Sequence, residues 1–442
     1  MIKTFADIFQ VPELRKKVPF TLLILAAYRL GAVIPLPGIN AEAMRALFET
    51  QKNTLLGFLN IFSGGALGRF SIFSMGVMPY INSSIIMSLL QGAHVFPYLD
   101  RLSKEGELGR KKILQITRYL TLVLGIIQSF GLVYSLARLP TPGGIPIVND
   151  LSVGFYMVSV LTLMAGTILI MWMGELITEQ GVGNGISLII FTGIIIGLPK
   201  GIQDLFRLLR IEEISIFGAL FLVAVVLAFT AFTVMVETGQ RKISVQYAKR
   251  MVGRQVMGGT STFLPIKVDT SGVIAVIFAV SILSVPVTLA QFFPQSGMSQ
   301  KFMSFWNRGS WLYEVIYGSL IVFFCYFYNS IQFNPQDLAE NMKKWGGFIP
   351  GIRPGEATAQ YIQTILERIT LWGALFIVMI AILPDILRQK LNAPFFFGGT
   401  ALLIAVGVAL DTIGQIESHL IMRHYEGFMK KGRIKGRWFN VR

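Results

Sequence analysis

The 442-residue chain has a single cysteine, Cys325, so it cannot close an intrachain disulfide. Its three histidines, His94, His419 and His424, are not spaced with carboxylates as a metal set. Charged residues make up only 14%, where a soluble protein of this length carries about a quarter. No HExxH, GxSxG or GxxxxGKS/T pattern occurs, which removes the common zinc-hydrolase, serine-hydrolase and nucleotide signatures. No enzyme chemistry and no cofactor are expected. The first apolar run, from Val18, continues through Tyr28 and Arg29 without an AxA-type site, so it does not read as a cleavable signal.

What fills the chain instead is apolar sequence: 53% of residues are hydrophobic and the mean hydropathy is +0.62. Runs of about 20 residues recur, each long enough to cross a hydrocarbon core of roughly 30 Å. The short alternating segments of a β-barrel are missing. The chain therefore reads as an all-α polytopic membrane protein with ten transmembrane helices. The expected spans are 18–36, 75–92, 113–137, 152–174, 185–199, 215–236, 271–290, 312–330, 369–387 and 398–417, with 59–74 a separate piece between the first two.

Lysine and arginine set the orientation. With the amino terminus on one side, that side collects more than two thirds of the 39 basic residues. Both termini are expected in the cytoplasm, and most of the net charge of +15 is this topology signal. Two cytoplasmic loops carry more than the signal needs. Residues 239–255 hold Arg241, Lys242, Lys249, Arg250 and Arg254 without an acid, and 334–361 is a long segment around GIRPG with Arg353 at its tip. Loops of this length between helices are usually functional or disordered. Ten spans also divide five and five, into 1–213 and 214–442. Because five is odd, the second half must be inverted, which puts a site or path at the shared interface.

Ionisable residues inside the spans are few: Arg29, Glu175, Asp385, Asp411 and Glu417, most of them near a span end. Ion-coupled transport needs such groups, and these form no obvious relay. Polar spots within spans are mainly Asn82, Ser83, Ser84, Gln128, Ser281, Ser284 and Thr288. Residues 60–74 are unusual, with Gly64, Gly65, Gly68 and Arg69 against a good membrane helix. Irregular or charged backbone at membrane depth needs protein or a water-filled cavity around it. A re-entrant half-helix meets that need, and so does an external loop with a small packed helix. From these residues alone, a conduit, a secondary transporter with broken helices and a membrane scaffold all remain open.

FSGGALGRFSIF followed by MGVMPYINSSII resembles the plug and second helix of the SecY family of protein-translocation channels. KEGELGRKKI, MWMGELITEQGVGNGISLIIF, ETGQRKISVQYAKR, FNPQDLAENMKKWGGFIPGIRPGEATAQY and PFFFGGTALLI follow in family order and cover essentially the whole chain. The resemblance implies a clamshell of two inverted five-helix halves with a re-entrant plug helix at about 59–74, including Phe62, Gly64, Gly65, Gly68 and Arg69. It implies a pore ring of Val77, Ile81, Ile186, Ile190, Ile277 and Ile404, and a lateral gate bordered by Asn82, Ser83, Gln128 and Val285. Within docking loops 237–270 and 331–368, Arg241, Lys242, Lys249, Arg250, Arg254 and Arg353 would meet the ribosome or the motor ATPase SecA. The small subunits SecE and SecG, secretory nascent chains with their signal sequences, the lipid bilayer and a bacterial inner-membrane location are implied on the same grounds.

Overall fold

The computed structural model describes residues 11–50, 57, 60, 63–93, 96–136, 147–148, 151–212, 214–247, 250–252, 255–257, 261–269, 271–291, 306, 310–391 and 398–431. A helix stands at each of the ten expected spans. They are α1 (Pro12–Gly31), α3 (Met78–Gly92), α5 (Glu107–Leu136), α6 (Val153–Gln180), α7 (Gly185–Ile195), α9 (Ile216–Glu237), α10 (Gly272–Gln291), α11 (Trp311–Gln332), α13 (Glu356–Leu391) and α14 (Gly399–Lys431). Between them lie α2 (Ala41–Thr50), α4 (Pro97–Lys104), α8 (Gly197–Arg210) and α12 (Pro335–Lys344). Counting α7 and α8 as one run, seven of the described stretches are long and apolar enough to cross a membrane on their own.

The helix ends follow local rules. Ser152, Asn184 and Ser215 accept bonds from the backbone N–H of Phe155, Ser187 and Gly218, capping α6, α7 and α9. Pro79, Pro97 and Pro335 sit in first turns, where the missing N–H costs nothing. Boundaries depart from the expected ones where polar sequence continues a helix. The thirteen residues of α13 before Ile369 are polar enough to escape a hydropathy reading, yet Ala, Gln, Glu and Leu propagate a helix well. At 36 residues α13 is about 54 Å long, well beyond a hydrocarbon core of roughly 30 Å.

Outside the membrane helices the chain adds a small sheet. β1 (Gln240–Tyr247) pairs antiparallel with β4 (Ser261–Lys267) in the register Gln240↔Lys267 to Gln246↔Ser261. A second short hairpin joins β2 (Arg250–Val252) to β3 (Gln255–Met257). β5 (Gly347–Phe348) adds to the free edge of β1 through Gln246↔Phe348 and Tyr247↔Gly347. Strands from the two long loops thus form one platform, over a core of Ile243, Ile266, Ile349, Ile362 and Leu366. The spacing of charges in the sequence could not reveal this union, because β5 is only two residues long.

Candidate functional site

A continuous apolar core runs through the helices and gathers Val77, Ile81, Ile190, Ile277 and Ile404, with Ile186 packed against it. These side chains come from α3 (where Val77 is the N-cap), α7, α10 and α14. Contacts link α3 to α10, α10 to α14, and α14 to α7, so the four helices are successive neighbours. Val77, Ile81, Ile190, Ile277 and Ile404 are each at most 8% exposed. Where branched apolar side chains close a constriction they exclude water and ions, and they make no hydrogen bonds. Ile186 is the exception. It is half-buried and its Cγ1 lies over Gly174, 2.8 Å from where a Cβ would stand, so much of its contact is with α6.

Ala66 belongs to the same core and brings the glycine-rich segment against it. Asn60 is helical, but from Ser63 on the described part of that segment is not an α-helix. It is one 3-10 turn, Leu67–Arg69, ended by Phe70 in the left-handed region. The physical reason is the backbone at Gly64 and Gly65, whose φ values of 65° and 82° cannot belong to a right-handed helix. Hydrogen bonds hold the turn in place. Asn60 Oδ1 accepts from Gly68 N at 2.6 Å, Ser63 Oγ accepts from Leu67 N at 3.1 Å, and Ser74 Oγ donates to the Ala66 carbonyl at 3.0 Å. Leu67 and Phe70 pack into a second core with Leu36, Met44 and Leu132. Phe62 lies outside the described residues.

Two side chains of α1 reach into the segment. Tyr28 Oη donates to the Ser63 carbonyl at 3.2 Å, and its ring stacks on Phe73 with centroids 5.7 Å apart. Arg29 Nη1 donates to the Gly64 carbonyl at 2.8 Å. Other intramembrane charges also have structural places. Arg118 of α5 pairs with Glu175 of α6 at 2.8 Å, while Asp411 and Glu417 are exposed. Among the described residues Arg29 and Arg118 thus have partners within the protein.

The expected gate residues fall between α3, α5 and α10, which are mutual neighbours. Asn82 and Ser83 are buried, Gln128 is half-buried and Val285 is 42% exposed. Ser83 Oγ donates to its own helix at the Pro79 carbonyl, 2.8 Å, and Ser284 Oγ to the Ser281 carbonyl, 2.6 Å. Each of these two hydroxyls donates within its own helix.

On the platform, Arg241 and Lys242 are exposed on β1, and Arg353 is exposed beyond the Gly351 turn. Arg250 opens β2, whereas Lys249 and Arg254 lie outside the described residues. Sequence reasoning missed Asp269 beneath the platform. Its Oδ1 accepts from Gly272 N at 2.6 Å and from Ser271 Oγ at 3.2 Å, capping α10. Burial pushes this carboxyl above the usual range, opposed by those two bonds and by Lys267. The Asp-Thr-Ser-Gly run before an apolar stretch was the available cap signal.

The SecY family model matches residues 71–413. The chain belongs to the SecY family. It is 44% identical to the protein translocase subunit SecY of Thermotoga maritima, over 99% of this chain and all of that one. It is 46% identical to the Thermus thermophilus SecY over 99% and 100% of the two chains, and 45% to that of Escherichia coli over 96% of each. The fold matches a solved protein-conducting channel with TM-score 0.65 at 16% identity, covering 97% of this chain and 99% of that one. A second solved structure, from the canine ribosome-channel complex of the endoplasmic reticulum, matches with TM-score 0.62 and the same coverage at 14% identity. As a SecY family member the chain is a multi-pass membrane protein and a protein-conducting channel subunit of the Sec translocase, and not an enzyme.

Proposed function

We propose that Val77, Ile81, Ile190, Ile277 and Ile404, with Ile186 at the margin, form the constriction through which unfolded secretory chains pass. The segment 63–74 is its external plug, and the seam of α3 and α5 against α10 is the lateral exit for apolar segments. The observation that carries this reading is the convergence of four helices on one dry cluster that also holds Ala66 of the plug. The two halves, 1–213 and 214–442, move apart at that cluster. By the charge rule both termini and the platform face the cytoplasm of a bacterial inner membrane, with the plug on the outer side.

Arg241, Lys242, Arg250 and Arg353 suit an acidic partner, such as ribosomal RNA or a motor ATPase of the SecA type. The energy for transport would come from that partner, since the chain has neither a nucleotide motif nor an ion relay among its described residues. SecE- and SecG-type small subunits complete the assembly. Reversing charge at both Arg241 and Lys242 is expected to cut partner-driven translocation by about tenfold or more and to leave membrane insertion unchanged, because both side chains project into water. Translocation of a secretory substrate into vesicles checks this, and an unchanged rate counts against the docking assignment.

The pore itself is tested with a photoreactive residue at Ile81 or Ile277, small subunits and motor present, and a secretory chain arrested midway. Cross-links from both sites to the arrested segment, absent without the motor, are expected. Cross-links confined to the 239–255 loop would move the reading to a scaffold.

A further inference from the structure

The hairpin of β1 and β4 grows out of α9 and α10, and its root carries acid. Beyond the pair Gln240↔Lys267 the ladder makes one more bond, from Val268 N to the Gly239 carbonyl at 2.9 Å. Glu237, the final residue of α9, lies two residues before that bond, and Asp269 one residue after it. α14 closes the same place from the side, where Glu237 Oε1 is 3.5 Å from the position a Cβ at Gly407 would take. α13 comes down on Val268 and Asp269 at Gly373, which has no side chain to offer them.

Each carboxyl has one oxygen without a partner. Asp269 is 5% exposed. Its Oδ1 accepts two bonds, but its Oδ2 is buried with no donor among the described residues. Glu237 Oε1 is buried in the same condition. A buried carboxylate oxygen with no donor costs free energy unless a proton or a cation meets it. The charges near the pair are few. Lys267, exposed at the end of β4, is the cation that acts on both carboxyls. Asp411 of α14 sets a further negative charge against Glu237 and also faces Tyr328 of α11. Cys325 of α11 is buried and faces Ser271 and Asp269. One lysine in water thus stands against three carboxyls. Like charges confined away from water do not ionise together, so such a pair keeps a proton and titrates as a unit.

We infer that Glu237 and Asp269 hold one proton between them at neutral pH and form a pH-sensitive root for the platform. With the proton in place the pair carries one negative charge, which Lys267 balances, and the hairpin stays seated on α9, α10 and α14. Losing the proton at alkaline pH sets two buried carboxylates against each other where α9 ends and α10 begins, and their repulsion loosens the hairpin. Proton linkage gives the sign. Burial raises the Asp269 carboxyl above its ordinary range, so the seated form binds more protons than the loosened one and is lost as pH rises. A metal ion is the poorer occupant, since the described residues contain no group of three His, Cys, Asp or Glu able to hold one. The inference needs neither the pore assignment nor the docking assignment.

The experiment titrates the full chain in phospholipid vesicles from neutral to alkaline pH and follows it by infrared difference spectroscopy. The C=O stretch of a protonated carboxyl is expected at neutral pH, replaced by carboxylate bands as pH rises. In Glu237→Gln and in Asp269→Asn the carboxyl that remains has lost its like-charged neighbour, and in each the transition is expected to move to lower pH by about one unit or more. A nitroxide at Ser244, exposed on β1, reads the hairpin, with Cys325 kept because it is buried. Its mobility is expected to rise through the same pH range in the native sequence and to stay level when both substitutions are combined. Four results overturn the inference. The protonated stretch can be absent at neutral pH, or its transition can be unmoved by either substitution, which makes the two carboxyls independent. A transition displaced by millimolar magnesium makes the root a cation site. A nitroxide that stays level in the native sequence shows that the hairpin does not respond to the proton.

Discussion

Replacing Ile81, Ile190 and Ile277 together by glycine raises the resting ion conductance of the reconstituted channel by about an order of magnitude or more. These three side chains are buried in one cluster from three different helices, so the loss opens a gap at the centre and not at a lipid-facing edge. The dry constriction then admits a continuous thread of water, and ions follow it. Glycine also costs about 1 kcal/mol per site in a helix interior. The matched control is therefore valine at the same positions, which keeps the branched apolar surface and is expected to leak little. Deleting 62–68 on top of the glycine variant removes the second barrier and relaxes discrimination among signal sequences. Planar-bilayer recording reads the first effect, and conductance unchanged by both lesions together would remove the plug-and-ring account.

The second large effect belongs to Arg29. Its guanidinium donates to the Gly64 carbonyl at 2.8 Å, a hydrogen bond from a charged group worth roughly 1.5–3 kcal/mol. Arg29→Met keeps the apolar stem and removes the donor, leaving the Gly64 carbonyl without it in the seated plug. A change of about 2 kcal/mol is roughly a thirtyfold shift toward the unseated state. A thiol introduced at Leu67, which is buried in the seated plug, with Cys325→Ser in the background, reports that population by its labelling rate. Arg29→Lys is expected to restore part of the protection. Equal labelling in all three backgrounds would show that Arg29 does not hold the plug.

Some of this was legible before any coordinates. Runs of apolar residues name the ten spans because a bilayer demands backbone satisfied within each segment, and a helix stands at each place. The proposed ring is legible only through resemblance, since an isoleucine in a membrane helix carries no mark that separates a pore from lipid contact. Ile186 shows the limit of that route, for its i,i+4 relation to Ile190 is correct while its side chain turns toward Gly174. The plug was read as a half-helix from its place in the chain. Its glycines favoured the turn that is found, because propensity within four residues outweighs pattern where packing supplies no long face. Arg29 stood out as a charge within a span, but its carbonyl partner lies 35 residues away, and no local rule reaches that far.

The two-residue pairing of β5 with β1 has a mechanical consequence. A molecule that pushes on the tip around Arg353 also pulls, through Gln246 and Tyr247, on the strand leading directly from α9. Force entering at one loop is therefore divided between the α9–α10 pair and the α11–α13 pair of helices. So short a seam yields early, and when it parts the two pairs bear strain separately. β5 thus ties the segment around Arg353 to the strand that leaves α9.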